Sequence, residues 1–195
     1  MEPDLQRIDV KVLAEAPAGL SLDPFLAIFS RWRKQQDESD WIDFADYAHM
    51  PNGAGIMLIG KQGSFSVNQD SPGIGLLYSG RKDFGGAFDQ RVIEAFRRCL
   101  RLTKPLLAEP DYPKQLKLLP GSWEIFINDR LNFPNTDETD RRLRRPIESA
   151  LNTLFGASNY SLERETDPQR RYAFSVRAQS SDMDTLAEKV RAVAR

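Results

Sequence analysis

Glycine is concentrated in one stretch of the chain, since nine of the twelve glycines lie between residues 53 and 86. Three short apolar runs stand between them, at 56–59, 65–67 and 74–78, and none is long enough for a helix. Residues typical of tight turns join these runs. Three successive strands linked this way pair as an antiparallel meander, which argues against a regular βαβ fold.

The remaining elements follow from the spacing of apolar residues. Four helices are predicted; the second spans about 87 to 104 and is stopped by Pro105, whereas the third begins at Asn135 and is kinked or split at Pro146. A strand is predicted at 8–12, and hairpins are predicted at 116–127 and 160–176.

The element order is therefore βα, βββα, ββα, ββα, which predicts an α+β fold of antiparallel strands with about four helices packed on the sheet. At 195 residues the chain is expected to form one domain over 1–195, with a subdivision near 108–113 left open.

Two predicted junctions between a strand and a helix share the pattern Arg-x-(Asp/Asn)-Phe, at 81–84 and at 130–133. The pattern has two alternative explanations, chance similarity and an internal duplication. A duplication would place Arg81 and Arg130 at equivalent positions of two strand–loop–helix units.

The second junction also carries a resemblance to known sequences. The stretch 126–131, followed by Pro134-Asn135-Thr136 and Glu138-Thr139, resembles a segment of small uncharacterised bacterial proteins and extends over the second half of the chain. This resemblance implies no activity, cofactor or catalytic residue.

Charge and cysteine content restrict the classes of partner. With 27 basic and 28 acidic residues the net charge is −1, so no global field attracts nucleic acid or an anionic membrane. Cys99 is the single cysteine, which excludes an internal disulfide and fits a reducing compartment. The acidic amino terminus and the lack of a long apolar stretch lead us to expect a cytoplasmic protein without membrane contact.

Metal binding and catalysis are not predicted. Asp43, Asp46 and His49 are spaced by three, but neither a helix nor a strand directs all three side chains to one point. Cys99 lies on an apolar helical stripe and is expected to be buried. No cofactor, metal or catalytic residue is therefore assigned, and the balance favours a protein that is not an enzyme.

Arg130, Asn132, Asn135 and Thr136 form the most polar segment held between rigid elements, and Arg81 occupies the matching junction. A helix amino terminus beside an arginine suits a phosphate or a carboxylate. The alternative is that these side chains only cap the helix and form the turn.

Three functions are ranked from these observations. The first is a cytoplasmic binding or interaction protein without catalytic machinery, whose partner is a protein or a second copy of the chain. The second is an enzyme or sensor for a small anion at the Arg130 loop. The third is RNA binding through the arginines of 141–145, although four nearby acidic residues favour a solvated helix face instead.

Overall fold

The computed structural model describes residues 7–35, 41–50, 53–70, 73–81, 84–179 and 182–193. Its elements are, in chain order, β1 (Ile8–Glu15), α1 (Asp23–Lys34), β2 (Trp41–Tyr47), β3 (Gly55–Gly60), β4 (Gly63–Asn68), β5 (Gly75–Gly80), α2 (Phe88–Leu107), β6 (Lys117–Ile127), α3 (Asp137–Phe155), β7 (Tyr160–Arg164), β8 (Ala173–Ala178) and α4 (Met183–Val193). All these strands belong to one antiparallel sheet with the order β2-β3-β4-β5-β1-β6-β8-β7. The predicted α+β class is confirmed.

Side-chain alternation along β1 separates the two faces of the sheet. Ile8, Val10 and Val12 belong to the hydrophobic core that the helices share, whereas Asp9 and Lys11 point to the opposite face. β5 and β6 pair with β1 on either side, and none of these five side chains is more than 1% exposed. The face opposite the helices therefore contains buried charged groups at its centre.

The helices cover the apolar face. α1 lies on β2 and β3, while α2 lies on β1 and β5 and also contacts α3 and α4. Phe96 of α2 packs against the rings of Trp123 and Phe155, at centroid distances of 5.0 and 6.0 Å. Within the described ranges, no helix has the length and apolar character needed to cross a bilayer.

Both prolines lie inside continuous helices, so the predicted stop at Pro105 is wrong, whereas the kink that was the other alternative at Pro146 stays a prediction. α2 continues two residues beyond Pro105, and Leu106 in this last turn is completely buried, so packing on the core offsets the backbone hydrogen bond that proline cannot donate. α3 is not split at Pro146, because Leu143 and Ile147 on either side are fully buried and hold both halves on the core. The amino-terminal cap of α3 is Thr136 rather than Asn135.

The hairpin predicted over 116–127 is wrong. Residues 117–127 form the single strand β6, and both of its parts pair with β1. Pro120 and Gly121 lie at a bulge, between the pairs Ala14–Leu118 and Val12–Trp123. The Trp123 indole N–H donates to the Pro120 carbonyl at 2.6 Å, so a turn-like local structure is accommodated within one strand.

One strand is absent from the prediction. β2 occupies 41–47 at an edge of the sheet, where most of its side chains are partly or fully exposed. An edge strand with two partly exposed faces lacks the clean apolar alternation that reveals a strand. His49 lies in the turn that follows.

The two Arg-x-(Asp/Asn)-Phe junctions occupy related places. They follow β5 and β6, which run in the same direction on either side of β1, and each leads into a helix. Phe84 and Phe133 are both buried. Lys82 and Asp83 lie outside the described residues, and the internal duplication stays a prediction.

Candidate functional site

A cavity of about 470 Å³ opens between the end of α1, the side of α2 and the turn between β3 and β4. Its polar and aromatic wall consists of Trp32, Gln35, Trp41, Gln62, Tyr78, Arg97, Arg98, Arg101 and Glu109. We call it the arginine–tryptophan cavity. Its volume lies in the range of about 300 to 1,000 Å³ that is typical of small-molecule sites.

Glu94 aligns two of the three arginines. Arg97 Nη2 and Arg98 Nε donate to its carboxylate at 2.6 and 2.7 Å. Burial tends to raise the pKa of the Glu94 carboxyl, but the hydrogen bonds from Arg97 and Arg98 outweigh it and hold that pKa below its usual value. One negative charge is therefore shared by two fixed guanidinium groups, and Arg101 lies one turn further along the helix.

Arg98 is also tied to the sheet. Its NH1 group donates to Gln62 Oε1 at 2.8 Å and to the Tyr78 hydroxyl at 3.1 Å. Gly63 makes this approach feasible, because a Cβ atom there would lie 2.6 Å from the Tyr78 oxygen. Burial raises the pKa of Tyr78 despite the nearby guanidinium, so its hydroxyl stays neutral.

An acidic residue at the other end of the cavity is already neutralised. The Glu109 carboxylate accepts hydrogen bonds from the Trp32 indole N–H and, at 2.7 Å, from Arg31. Arg31 also pairs with Asp111 at 2.8 Å. These contacts orient the Trp32 ring and leave Glu109 little capacity to offset the arginines of α2.

This arrangement favours binding over nucleophilic chemistry. Leu102 and the two tryptophan rings supply apolar surface, and the guanidinium groups supply planar donors. Among the described residues that line the cavity there is no serine, cysteine, histidine or lysine. The residue types suit a ligand with a flat apolar part and an anionic group.

A second, smaller cavity of about 270 Å³ includes the predicted Arg130. Phe126 and Ala173, both from the sheet face opposite the helices, form its apolar part. Its charged lining consists of Asp70, Arg130, Glu165, Arg170 and Arg171. We call this cavity the Arg130 pocket.

The other predicted ligand residues mainly hold the loop in place. Asn135 is buried, and its amide donates to the carbonyls of Glu165 and Asp167, both at 2.9 Å. Thr136 caps α3 by accepting from the Thr139 N–H, and Asn132 bonds to Asp129. Among the predicted residues, Arg130 alone lines one of the two cavities described above.

Arg81, the remaining predicted ligand residue, is exposed in the loop after β5 and lines neither of the two cavities. Its backbone N–H donates to the Gln62 carbonyl at 3.0 Å. The structure thus brings Arg130 together with Arg170 and Arg171 rather than with Arg81.

The arginine cluster of 141–145 is distributed over α3. Arg144 pairs with Asp140 at 2.9 Å and lies over the Phe174 ring, at 4.9 Å from its centroid. Arg142 lies over Phe133 instead. These two arginines therefore pack against the protein itself, and RNA binding stays an untested prediction.

Comparison with known proteins identifies no relative of this chain. The chain matches no protein-family model, no curated protein and no solved structure. No activity, cofactor or residue role is transferred to it, so its function must follow from the chemistry of its own cavities.

Cys99 is expected to resist thiol reagents in the folded protein. It is completely buried on α2, as predicted, and burial raises the pKa of its thiol to about 12, so the reactive thiolate is scarce. Labelling with Ellman's reagent should proceed only as fast as the protein opens, and should be rapid in guanidinium chloride. Fast stoichiometric labelling under native conditions would contradict this prediction.

Proposed function

We propose that the protein binds, without converting it, a small molecule that joins a flat apolar group to a phosphate or carboxylate, and that it does so in the arginine–tryptophan cavity. The observation that carries this proposal is the convergence of three arginines and two tryptophans on one cavity of about 470 Å³. A guanidinium group matches both oxygens of a phosphate or carboxylate, and an indole ring offers a flat surface for stacking.

The charges around the cavity support an anion rather than a cation. Arg97 and Arg98 share the single carboxylate of Glu94, so these three side chains carry one net positive charge, and Arg101 lines the same cavity. Glu109 is compensated by Arg31. An anionic ligand would therefore meet an excess of positive charge in a partly desolvated site, where electrostatic attraction is stronger than in bulk water.

The fixed orientation of Arg98 also favours binding of a ligand in this cavity. A guanidinium group that is already oriented by Glu94, Gln62 and Tyr78 loses little rotamer freedom when a ligand arrives. A cytoplasmic location stays part of this proposal, and the single buried cysteine, which leaves the chain without an internal disulfide, is compatible with it.

Isothermal titration calorimetry with matched probes tests the proposal. Naphthyl phosphate and naphthoate carry both ligand features, whereas naphthol and inorganic phosphate carry one each. At least one of the complete probes should bind more tightly than either half. Arg101→Ala should weaken that binding about tenfold, the loss expected for one charge-assisted hydrogen bond of about 1.5 kcal/mol.

Arg91→Ala is the matched control, because Arg91 lies on the same helix but does not line the cavity. It should leave the affinity unchanged. The proposal fails if neither complete probe binds saturably, or if Arg101→Ala and Arg91→Ala bind the probe equally well.

A further inference from the structure

The Arg130 pocket has an uneven charge balance. Its lining contains three arginines but only two carboxylates, those of Asp70 and Glu165. Arg170 pairs with Glu165 at 3.1 Å, and Arg171 lies 3.9 Å from Asp70. Among the described residues of the pocket, Arg130 is the arginine for which no hydrogen bond or ion pair is found, and its side chain is exposed. Its positive charge is therefore available to a ligand.

Arg171 connects this pocket to a buried carboxyl group. Its guanidinium lies over the Phe126 ring, at 4.7 Å from the centroid, and NH1 is 3.2 Å from Asp9 Oδ2. Asn128 donates to the same carboxylate oxygen at 3.2 Å. Asp9 itself is 1% exposed, and Oδ1 has no hydrogen-bond partner. Oδ1 is thus buried without a hydrogen bond of normal geometry, and although the Ser79 hydroxyl across the strands helps to stabilise the charge, ionisation of this carboxyl is costly.

The surroundings of Asp9 decide its protonation. Along the chain the charged neighbours are Arg7, just before β1, and Lys11 on β1. The facing polar groups are Ser79 of β5, Asn128 after β6 and Arg171 before β8. Lys11 is directed away, since its ammonium donates to Asn68 and to the carbonyls of Asp70 and Gly73.

Two further titratable groups lie near Asp9 and Lys11: Glu124 of β6, which is opposite Lys11 in the strand register, and Tyr78 of β5, whose pKa the Asp9 charge helps to raise. Burial raises the pKa of the Asp9 carboxyl to about 7, although Arg171, Ser79 and Asn128 act to lower it. Arg171 is therefore the main opposing charge that keeps part of the Asp9 population ionised near neutral pH.

We propose that the Arg130 pocket binds a small oxyanion between Arg130 and Arg171, and that Asp9 takes up a proton from solvent when the anion binds. The anion shares the charge of Arg171 and adds a negative charge close to Asp9. Both effects favour the neutral carboxyl. Binding and protonation are thus coupled, and each strengthens the other. This site is separate from the arginine–tryptophan cavity and does not depend on it.

Calorimetric titration with sulfate tests the coupling, because sulfate does not change its own charge near neutral pH. Titrations at pH 7.5 in two buffers of different ionisation enthalpy should report an uptake of about half a proton per anion. The affinity should be about fivefold higher at pH 6 than at pH 8. Inorganic phosphate and acetate, as further probes, show whether a tetrahedral or a planar oxyanion fits better.

Three variants locate the effect. Arg130→Ala should weaken sulfate binding at least fivefold, whereas Arg191→Ala, which removes an exposed arginine of α4, should not. Asp9→Asn should bind sulfate without proton uptake and without the dependence on pH. Arg101→Ala should leave all these values unchanged, which distinguishes this site from the arginine–tryptophan cavity.

The proposal is overturned if none of the three anions binds saturably, if Arg130→Ala binds as the wild type does, or if proton uptake persists in Asp9→Asn. Should Asp9→Asn fail to fold, carbon-13 NMR of the Asp9 carboxyl in the wild-type protein replaces it. The titration midpoint of that carbon should then move upward on addition of sulfate, and a midpoint that does not move rejects the coupling.

Discussion

The protein should become less stable as the pH rises from about 4 to about 7, and Asp9→Asn should remove most of this loss. In the unfolded chain Asp9 releases its proton near pH 3.8, whereas in the folded protein it does so near pH 7. Between these values the folded state holds one more proton than the unfolded state, so the free energy of unfolding falls as the pH increases. A shift of this size corresponds to about 4 kcal/mol.

Urea unfolding at pH 5, 6, 7 and 8 measures the effect. The difference between wild type and Asp9→Asn isolates the Asp9 contribution from that of Glu124, whose pKa burial also raises. Glu15→Gln is the control, because Glu15 is exposed on the same strand. Equal pH slopes in wild type and Asp9→Asn would contradict the prediction, because they would show that the Asp9 carboxyl is ionised in the folded protein over this whole pH range.

Lys11 contributes to the same curve at higher pH. Burial lowers the pKa of its ammonium to about 8, although Asp70 and Glu124 act to raise it. Above pH 8 the unfolded chain holds the extra proton, so this group makes the free energy of unfolding rise again. The two buried charges thus place a minimum of stability near neutral pH, between the two titrations.

The helices and most strands were predictable because their signals are local. In α1 the residues Phe25, Ile28, Phe29 and Trp32 recur at helical spacing and are all buried. The glycine-rich meander appears as β3, β4 and β5, three adjacent strands. In both cases the pattern that defines the element lies within a few residues of sequence, which is the range over which periodicity is informative.

The errors lie where a distant partner decides the outcome. Pro120-Gly121 has the composition of a turn, but β1 offers one continuous edge to both sides of it, so the segment extends as a single strand with a bulge. β2 depends on its pairing with β3, and its own side chains give little alternation. Neither partner can be identified from the local sequence.

The candidate sites also divide into features that are local in sequence and features that depend on distant parts of the chain. Arg130 could be recognised because a polar loop before a helix is a local feature. Arg97 and Arg98 carry no such local signal, because the cavity beside them is closed by residues from α1 and from the β3–β4 turn. Asp9 and Lys11 look like the solvent side of a strand, and only the position of β1 inside the sheet buries them.

Replacing Phe96 with alanine should cost about 4 kcal/mol of stability, the usual loss for a large aromatic ring in a full core. Phe96 is completely buried, and its ring contacts Trp123 of β6 and Phe155 of α3. It therefore joins the part of the chain before residues 108–113 to the part after them. For a chain of this length the melting temperature should fall by about 10 °C.

Leu107→Ala is the control for that prediction, because Leu107 lies on the same helix and is 41% exposed, so the loss of stability in this variant should be small.

The same pair of variants tests the single domain predicted from the sequence. Trp32 and Trp41 report on the first part of the chain and Trp123 on the second, so each part can be followed with the other's tryptophans replaced by phenylalanine. If the core around Phe96 makes the chain one cooperative unit, Phe96→Ala should shift both fluorescence transitions to the same lower urea concentration. Two separated transitions, with only one displaced by Phe96→Ala, would instead show that the chain forms two units that unfold independently, with a boundary near 108–113.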